Sequence, residues 1–184
     1  MTKHMGNAPK PHQGKQELAE EIIRNLMRRH STAAVLLHHA LAELLGVGPT
    51  DLQCLDLVRE RGALSGSELA VITGLTTGAI TGVVARLERA EYLHRESDPH
   101  DKRRQILRSS LERTPNVRKI FEPLHKELAL LLEQFDGKEL GAIATFLARS
   151  RELAYRHIAL IRSLALSGGG TTETHHPANP AKQR

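Results

Sequence analysis

The chain has 184 residues, and its 26 Lys and Arg against 21 Asp and Glu give a net charge of +5, which favours anionic partners without identifying them. Aromatic residues make up 3% and Trp is absent, so aliphatic side chains must fill the core, as in packed helices. The sequence has no apolar run of about 18 residues, no apolar segment near its start and one cysteine, so we expect no membrane span, no secretory signal and a cytoplasmic location.

A long amphipathic helix is predicted near the start of the chain. Residues 1–14 contain almost no large apolar side chains, and we predict a disordered arm there. From residue 15 to about 45, apolar residues recur at helical spacing, which predicts a rod about 45 Å long at about 1.5 Å per residue. Such a rod exceeds what one small domain needs, so we expect its apolar stripe to face a second subunit. We assign residues 15–48 to an N-terminal dimerisation helix, with these interface residues: Leu18, Ile22 and Leu26.

Capping residues mark the two helices that follow. The pattern breaks at residues 46–49, and Thr50 or Asp51 is predicted to cap the next helix. Ser65 or Ser67 is predicted to begin a shorter helix after it. Both helices carry apolar residues at helical spacing, so we expect them to pack into a common core.

The stretch over residues 65–108 has the order of a helix-turn-helix followed by a wing. Two short helical patterns meet at Gly74, which supplies the backbone freedom that a tight turn needs. Thr76 is predicted to cap the second helix, which runs to about residue 90. The apolar period then changes to two, breaks at a charged loop and resumes, as in a two-stranded hairpin. We assign residues 49–112 to this winged helix-turn-helix lobe.

The outer face of the helix over residues 76–90 carries small and polar side chains opposite an apolar stripe. Each glycine inside a helix costs about 1 kcal/mol relative to Ala, and close approach to the floor of a DNA major groove would explain two of them. The alternative is a solvated face built from poor helix formers. We predict DNA contacts from this helix at Thr76, Thr77, Gly78, Thr81, Gly82 and Arg86. Ser65 and Ser67, at the start of the preceding helix, are predicted to contact phosphate.

The loop of the predicted hairpin is rich in basic side chains. A narrow tip of this kind suits insertion toward a DNA minor groove, where the negative potential is deepest. The predicted contacts from the wing are Lys102, Arg103 and Arg104. Asp98 and Asp101 lie in the same loop, and we expect one or both to pair with an arginine and fix its direction.

Two further amphipathic helices are predicted after the wing, over about 115–135 and 138–166. Thr114 is predicted to cap the first, and Pro123 is predicted to kink it. We assign residues 113–166 to C-terminal dimerisation helices and 167–184 to a disordered tail. The predicted interface residues of the last helix are Ala154, Ile158 and Ile161.

The central residues also resemble a known family. Residues 62–104 follow the pattern GxLSxxELAxxTGLTTGAITGVVxRLExAxYxxRxxDPxDKRR, which is similar to the winged helix-turn-helix of MarR-type bacterial transcription regulators. The resemblance implies a mainly α fold with a small β-wing, flanked by long N- and C-terminal dimerisation helices. It also implies a homodimer that binds a pseudo-palindromic operator, with repression as the commoner outcome.

The same resemblance implies two finer properties. In the family, an Asp-Lys/Arg-Arg element places a wing arginine in the minor groove, and Arg103 is the matching position here. Many members bind a small aromatic or anionic molecule between the dimerisation helices and the DNA-binding lobe, and binding loosens their hold on DNA. Such an effector is therefore a candidate partner, beside double-stranded DNA and a second copy of the chain.

Other classes of function were weighed against this hypothesis. The sequence has no HExxH, GxSxG or dinucleotide-binding motif, and its 11 His form no tight cluster, so we expect no enzyme, no metal site and no cofactor. Residues 51–108 contain nine basic and nine acidic residues, so the lobe is near neutral. A winged-helix module that binds protein, without specific DNA binding, is therefore the alternative.

Overall fold

Helices make up most of the chain, with one small antiparallel sheet near its middle. The computed structural model describes residues 14–110 and 115–168, without the side chains of 115–118 and 166–168. The helical elements are α1 (Lys15–Glu21), a π-helical segment (Ile22–Leu26), α2 (Met27–Leu44), α3 (Pro49–Arg61), α4 (Gly66–Thr73), α5 (Thr77–Arg89), α6 (Pro115–Leu132) and α7 (Gly137–Gly168). The strands are β1 (Leu93–Ser97) and β2 (Gln105–Ser109). The predicted fold class, mainly α with a small β-wing, is confirmed.

The chain divides into two compact units inside α6, the first ending at Glu122 and the second beginning at Pro123. Pro123 has no backbone N–H, so α6 lacks one of its internal hydrogen bonds at this point. The predicted arm before residue 14, the predicted cap Thr114 and the predicted tail after residue 168 lie outside the described residues.

The core of the first unit lies between α3, α4, α5 and the sheet. Leu55, Val58, Leu69 and Leu87 have no exposed surface. The apolar stripe predicted for this helix forms the buried side of α5, which consists of Ile80, Val83, Val84 and Leu87. Cys54 belongs to the same core, and burial raises the pKa of its thiol to about 11. The core is therefore aliphatic, as the composition requires.

The start of α3 differs from the prediction. Gly48 is the N-cap residue and Pro49 occupies the first helical position, so the predicted caps Thr50 and Asp51 lie inside the helix. Proline is tolerated there because the first N–H groups of a helix have no internal acceptor. The carboxylate of Asp51 accepts a hydrogen bond from the Gly48 N–H at 3.2 Å, so it completes the cap from the third helical position.

The turn between α4 and α5 follows the prediction. Ser65 caps α4, and α4 ends at Gly74, whose φ of +75° is a left-handed conformation that glycine adopts without strain. Thr76 then caps α5 by accepting a hydrogen bond from the Ala79 N–H at 3.2 Å. These capping contacts fix α4 and α5 as the two helices of the predicted helix-turn-helix.

The two strands form the predicted wing. They pair antiparallel, with Leu93 opposite Ser109 and Ser97 opposite Gln105. Leu64, just before α4, adds a bridge to Leu107 through two backbone hydrogen bonds of 3.3 and 2.7 Å. The bridge attaches the wing to the helical part of the lobe.

The long helices at the two ends of the chain expose many apolar side chains. In the first unit, Ile23 is 72% exposed and Leu36 is 66% exposed. In the second unit, none of the described side chains of α7, over residues 137–165, is buried, and Ile161 is 63% exposed. Among the described residues, no single helix is both long and apolar enough to cross a membrane.

Candidate nucleic-acid interface

Helix α5 has two chemically different sides. Opposite its buried aliphatic side it exposes the small and polar residues Thr77, Gly78, Ala79, Thr81, Ala85, Arg86 and Arg89, and Gly82 is half-buried between them. An ideal Cβ at Gly78 would have no heavy atom within 4 Å. The outer side of α5 is therefore nearly free of bulky side chains over its first turn.

The threonine hydroxyl groups of α5 are partly used inside the helix. Thr81 Oγ1 donates a hydrogen bond to the carbonyl oxygen of Thr77 at 2.9 Å, whereas Thr76 Oγ1 accepts the capping bond described above. The Thr81 oxygen keeps its acceptor capacity and its methyl group. Such a surface suits apolar contact with a thymine methyl group better than donation from this hydroxyl.

Arg86, predicted to contact DNA, forms an ion pair with Asp51 of α3. Its Nε and Nη2 donate to the two carboxylate oxygens of Asp51 at 2.8 and 2.7 Å. The Asp51 side chain is 3% exposed and that of Arg86 is 53% exposed. The hydrogen bonds from Arg86 lower the pKa of Asp51, so the carboxylate stays ionised although it is buried.

The sequence did not predict that Asp51 pairs with Arg86. Its partner lies 35 positions away, on a helix face that the pattern assigned to DNA alone. The only local sign was an acidic residue in the first turn of α3, which capping already explains.

Of the two predicted starts, Ser65 is the N-cap of α4 and Ser67 lies inside its first turn. Ser65 is only 6% exposed. Ser65 Oγ lies 2.7 Å from Glu68 Oε2 and 3.0 Å from Ser67 Oγ, and it accepts a hydrogen bond from Arg104 Nη2 at 3.1 Å. Ser65 therefore serves the local hydrogen-bond network, and its predicted phosphate contact stays a prediction together with that of Ser67.

The basic residues of the wing loop differ in their partners. Arg104 lies close to Glu68 of α4, with 3.3 Å between Nη2 and Oε2. Lys102 and Arg103 are exposed, and neither forms an ion pair with any residue that the structure describes. Two cations at the tip of the wing are thus available to an external anion.

Asp98 and Asp101 act on the backbone of the loop. Asp98 Oδ1 accepts hydrogen bonds from the N–H groups of His100 and Asp101 at 2.8 and 3.4 Å, and Asp101 Oδ1 accepts from the Arg103 N–H at 3.0 Å. These amide bonds lower the pKa of Asp98. We expected one or both of these aspartates to pair with an arginine, but their hydrogen bonds go to backbone amides instead. A short aspartate side chain reaches an amide two residues ahead more readily than a distant guanidinium.

A second polar network lies at the base of the wing. Glu96 receives a hydrogen bond from Arg108 Nε at 2.6 Å, and its other oxygen lies 2.8 Å from His94 Nε2. Arg95 Nε donates to Glu88 at the end of α5, at 3.1 Å. Sequence reasoning missed these contacts, although opposite charges on paired strands are their usual sign. They connect the wing strands to each other and to α5.

The predicted dimerisation residues are described separately in each unit. Leu18, Ile22 and Leu26 are half-buried, whereas Ala154, Ile158 and Ile161 are exposed. Among the described residues, no group of three or more His, Cys, Asp or Glu side chains could hold a metal ion.

Comparisons with known proteins identify the family. Residues 45–104 match the family model described as the MarR family. An uncharacterised HTH-type transcriptional regulator of Bacillus subtilis (strain 168), YcgE, is 35% identical over 134 residues, which cover 73% of this chain and 87% of that protein.

Two solved structures share the fold at low sequence identity. A MarR protein from Peptoclostridium difficile is 16% identical with a TM-score of 0.52, and the match covers 83% of this chain and 99% of that one. A mutant MepR from a multidrug-resistant S. aureus clinical isolate is 16% identical with a TM-score of 0.56, covering 70% and 94%. The chain belongs to the MarR family, whose members are transcriptional regulators and not enzymes.

Proposed function

We propose that this protein is a homodimer that binds a pseudo-palindromic DNA site and represses transcription. The observation that carries the proposal is the two-sided character of α5, which is buried on one side and exposes small polar residues on the other. A helix of this kind, held behind a tight turn, fits the recognition helix of a helix-turn-helix in the major groove. We expect the two half-sites to lie about one helical turn of DNA apart.

The wing supplies the electrostatic part of the proposal. Lys102 and Arg103 are exposed at its tip, and the loop that carries them is closed by backbone hydrogen bonds from Asp98 N–H to the Arg104 carbonyl and from Arg104 N–H to the Asp101 carbonyl, at 3.0 and 2.8 Å. A rigid loop loses little conformational entropy when it binds, so its cations can enter a narrow minor groove at low cost.

Exposed apolar surface supports the homodimer. The chain alone leaves Ile23, Leu36 and Leu44 of the N-terminal helices more than half exposed, and likewise Leu160 and Ile161 of α7. Apolar surface of this extent gains free energy when a second copy covers it. The similar regulator YcgE comes from a bacterium, and bacterial DNA lies in the cytoplasm, so a cytoplasmic location is part of the proposal.

Release by a small aromatic or anionic ligand stays a prediction. A ligand that binds the folded protein at 100 times its dissociation constant stabilises it by about 2.7 kcal/mol, so a thermal-shift screen of phenolic and carboxylate compounds would detect it. A compound that raises the melting temperature should also weaken DNA binding if it is an effector.

A gel-shift titration tests the DNA-binding proposal. The full-length protein is titrated against the DNA upstream of its own gene and against a scrambled duplex of the same composition, each at two salt concentrations. We expect tighter binding to one upstream segment, with an affinity that falls as salt rises because phosphate contacts release counterions.

Binding that ignores both sequence and salt would contradict the proposal. The near-neutral lobe, with nine basic and nine acidic residues over 51–108, would then favour the protein-binding module as the function.

A further inference from the structure

Asp51 of α3 and Arg86 of α5 are joined by two hydrogen bonds between a buried carboxylate and a half-exposed guanidinium. Asp51 Oδ2 accepts from Arg86 Nε and Oδ1 accepts from Nη2, so the carboxylate uses the side of the guanidinium that contains Nε. Among the described residues, Nη1 has no hydrogen-bond partner. The edge formed by Nη1 and the second hydrogen of Nη2 is therefore open to an external acceptor.

Gly82 determines where this open edge lies. An ideal Cβ at Gly82 would stand 3.3 Å from Arg86 Nη1, so the guanidinium lies along the outer face of α5, one turn before its own Cα. An alanine at this position would require the guanidinium to move by a few tenths of an ångström. The hydrogen bonds to the buried Asp51 carboxylate restrict that movement. Gly82 thus makes room for a held arginine, which accounts for one of the two helix glycines.

The pair changes what Arg86 can do at a DNA surface. An unpaired surface arginine loses side-chain entropy when it is immobilised, whereas Asp51 has already fixed Arg86 in the free protein. The ion pair also has no net charge, so its long-range attraction for phosphate is small. A fixed donor edge with little net charge suits the O6 and N7 acceptors of guanine, which an arginine recognises through two parallel hydrogen bonds.

We infer that Asp51 is a positioning residue for DNA recognition: it holds Arg86 over Gly82 so that the Nη1 edge hydrogen-bonds one guanine in each half-site. The inference rests on the proposed function. It assigns a recognition role to a buried residue of α3 that does not itself touch DNA.

The test begins with selection of a binding site from random-sequence duplexes by the full-length wild-type protein. Each base pair of the selected site is then replaced in turn, and dissociation constants are measured for wild type, Asp51→Asn and Asp56→Asn. Asp56 provides a matched control, because it lies on the same helix but is 3.6 Å from His38 and has no ion pair with α5. All measurements are made at a temperature at which circular dichroism shows each variant folded.

We expect Asp51→Asn to bind the selected site about tenfold more weakly than wild type and to lose its preference for guanine at one position, whereas Asp56→Asn keeps both. Replacing that guanine by 7-deazaguanine, which lacks N7, should weaken wild type and leave Asp51→Asn unchanged. A purely structural role for Asp51 would lower the melting temperature without changing base preference, and this result would overturn the inference.

Two further variants keep the test decisive if Asp51→Asn does not fold. Arg86→Lys retains the charge but loses the planar fork, so we expect the same loss of guanine preference. Gly82→Ala should weaken binding a few-fold while the helix itself becomes no less stable. If Arg86→Lys keeps both the base preference and the salt dependence of wild type, Arg86 contacts phosphate and the guanine assignment is wrong.

The outcomes separate the inference from the proposed function. If wild type selects no sequence and ignores salt, the proposed DNA binding fails. If wild type selects a site and both Asp51→Asn and Arg86→Lys keep its base preferences, only the inference fails.

Discussion

The winged helix-turn-helix lobe and the long helix α7 bury their apolar side chains in different ways. In the lobe, Leu55, Val58, Leu69 and Leu87 are completely enclosed by neighbouring elements. In α7, apolar residues such as Leu160 and Ile161 stay more than half exposed in the single chain. The lobe therefore obtains its core from its own sequence, whereas we expect α7 to obtain one from a second copy.

Several arginines of the lobe are paired with carboxylates. Within the lobe, Arg86, Arg95, Arg104 and Arg108 all lie within 3.3 Å of a carboxylate oxygen. An electrostatic surface for DNA must therefore depend on the few cations without such a partner. A basic residue count over the lobe would overestimate its positive potential, because much of that charge is compensated locally.

The largest expected effect concerns the exposed apolar surface of α7. The substitution Ile161→Asp places a carboxylate on this surface. A dimer that covers it would bury one unpaired charge in each copy, and each would weaken the dimerisation free energy by about 3–5 kcal/mol. We expect analytical ultracentrifugation at micromolar concentration to show a shift from dimer to monomer. Leu55→Ala is the contrasting variant, because it should lower the free energy of unfolding by about 2–5 kcal/mol and leave the dimer in place. An unchanged mass for Ile161→Asp would remove this residue from the interface.

Next in size is the effect of removing Arg86. Arg86→Ala removes two hydrogen bonds from the buried Asp51 carboxylate, but Arg86 is 53% exposed and water replaces part of what is lost, so we expect the free energy of unfolding to fall by about 1–3 kcal/mol in urea denaturation. Arg89→Ala on the same helix serves as the control, since this exposed side chain should change stability by less than about 0.5 kcal/mol. Equal stability of the two variants would show that the ion pair contributes little.

The same pair predicts a dependence on pH. Arg86 lowers the pKa of Asp51 below its ordinary value of 3.8, so the stabilisation is complete above that value and is lost as the pH falls through the lower pKa of the folded state. The difference in free energy of unfolding between wild type and Asp51→Asn should therefore be constant above about pH 5 and shrink below it. Other carboxylates are common to both proteins and cancel. A difference that grows on acidification would contradict the assignment.

The smallest effects distinguish two neighbouring arginines of the wing. Arg103→Ala should weaken binding to the selected DNA by about 1–3 kcal/mol without loss of stability or of the dimer. Arg104→Ala should lower the free energy of unfolding by less than about 1 kcal/mol, because its ion pair with Glu68 is exposed. The measurements are gel-shift titration and urea denaturation of both variants. Unchanged DNA binding by Arg103→Ala would exclude this residue from the interface.

Much of the lobe could be predicted because its signals are local. The glycine at position 74 and the caps Ser65 and Thr76 act within a few residues of their own positions, and the period of α5 identified its buried side. The π-helical segment Ile22–Leu26 had no such signal, since its residues have the same apolar spacing as the α-helix around it. Glu91 likewise has a φ of +60° without being glycine, which no sequence pattern indicated.

The candidate site was predicted less completely, because its polar contacts join distant positions. Arg86 and Arg104 were assigned to DNA from their place on the outer helix face and in the loop. Their carboxylate partners, Asp51 and Glu68, belong to other helices, and only the folded arrangement brings them within hydrogen-bonding reach. A charged residue that the sequence pattern places on the surface is therefore only a candidate DNA contact until its neighbours in the fold are known.

The burial of Cys54 has a practical consequence for spectroscopy. With a pKa of about 11, roughly one thiol in ten thousand is ionised at neutral pH, and the side chain is 1% exposed. Maleimide and methanethiosulfonate reagents should therefore leave this sole cysteine unmodified in the native protein. Single cysteines introduced at the wing tip or on α7 could be labelled selectively without first removing the native one, and distances between two copies could then be measured by electron paramagnetic resonance or fluorescence energy transfer.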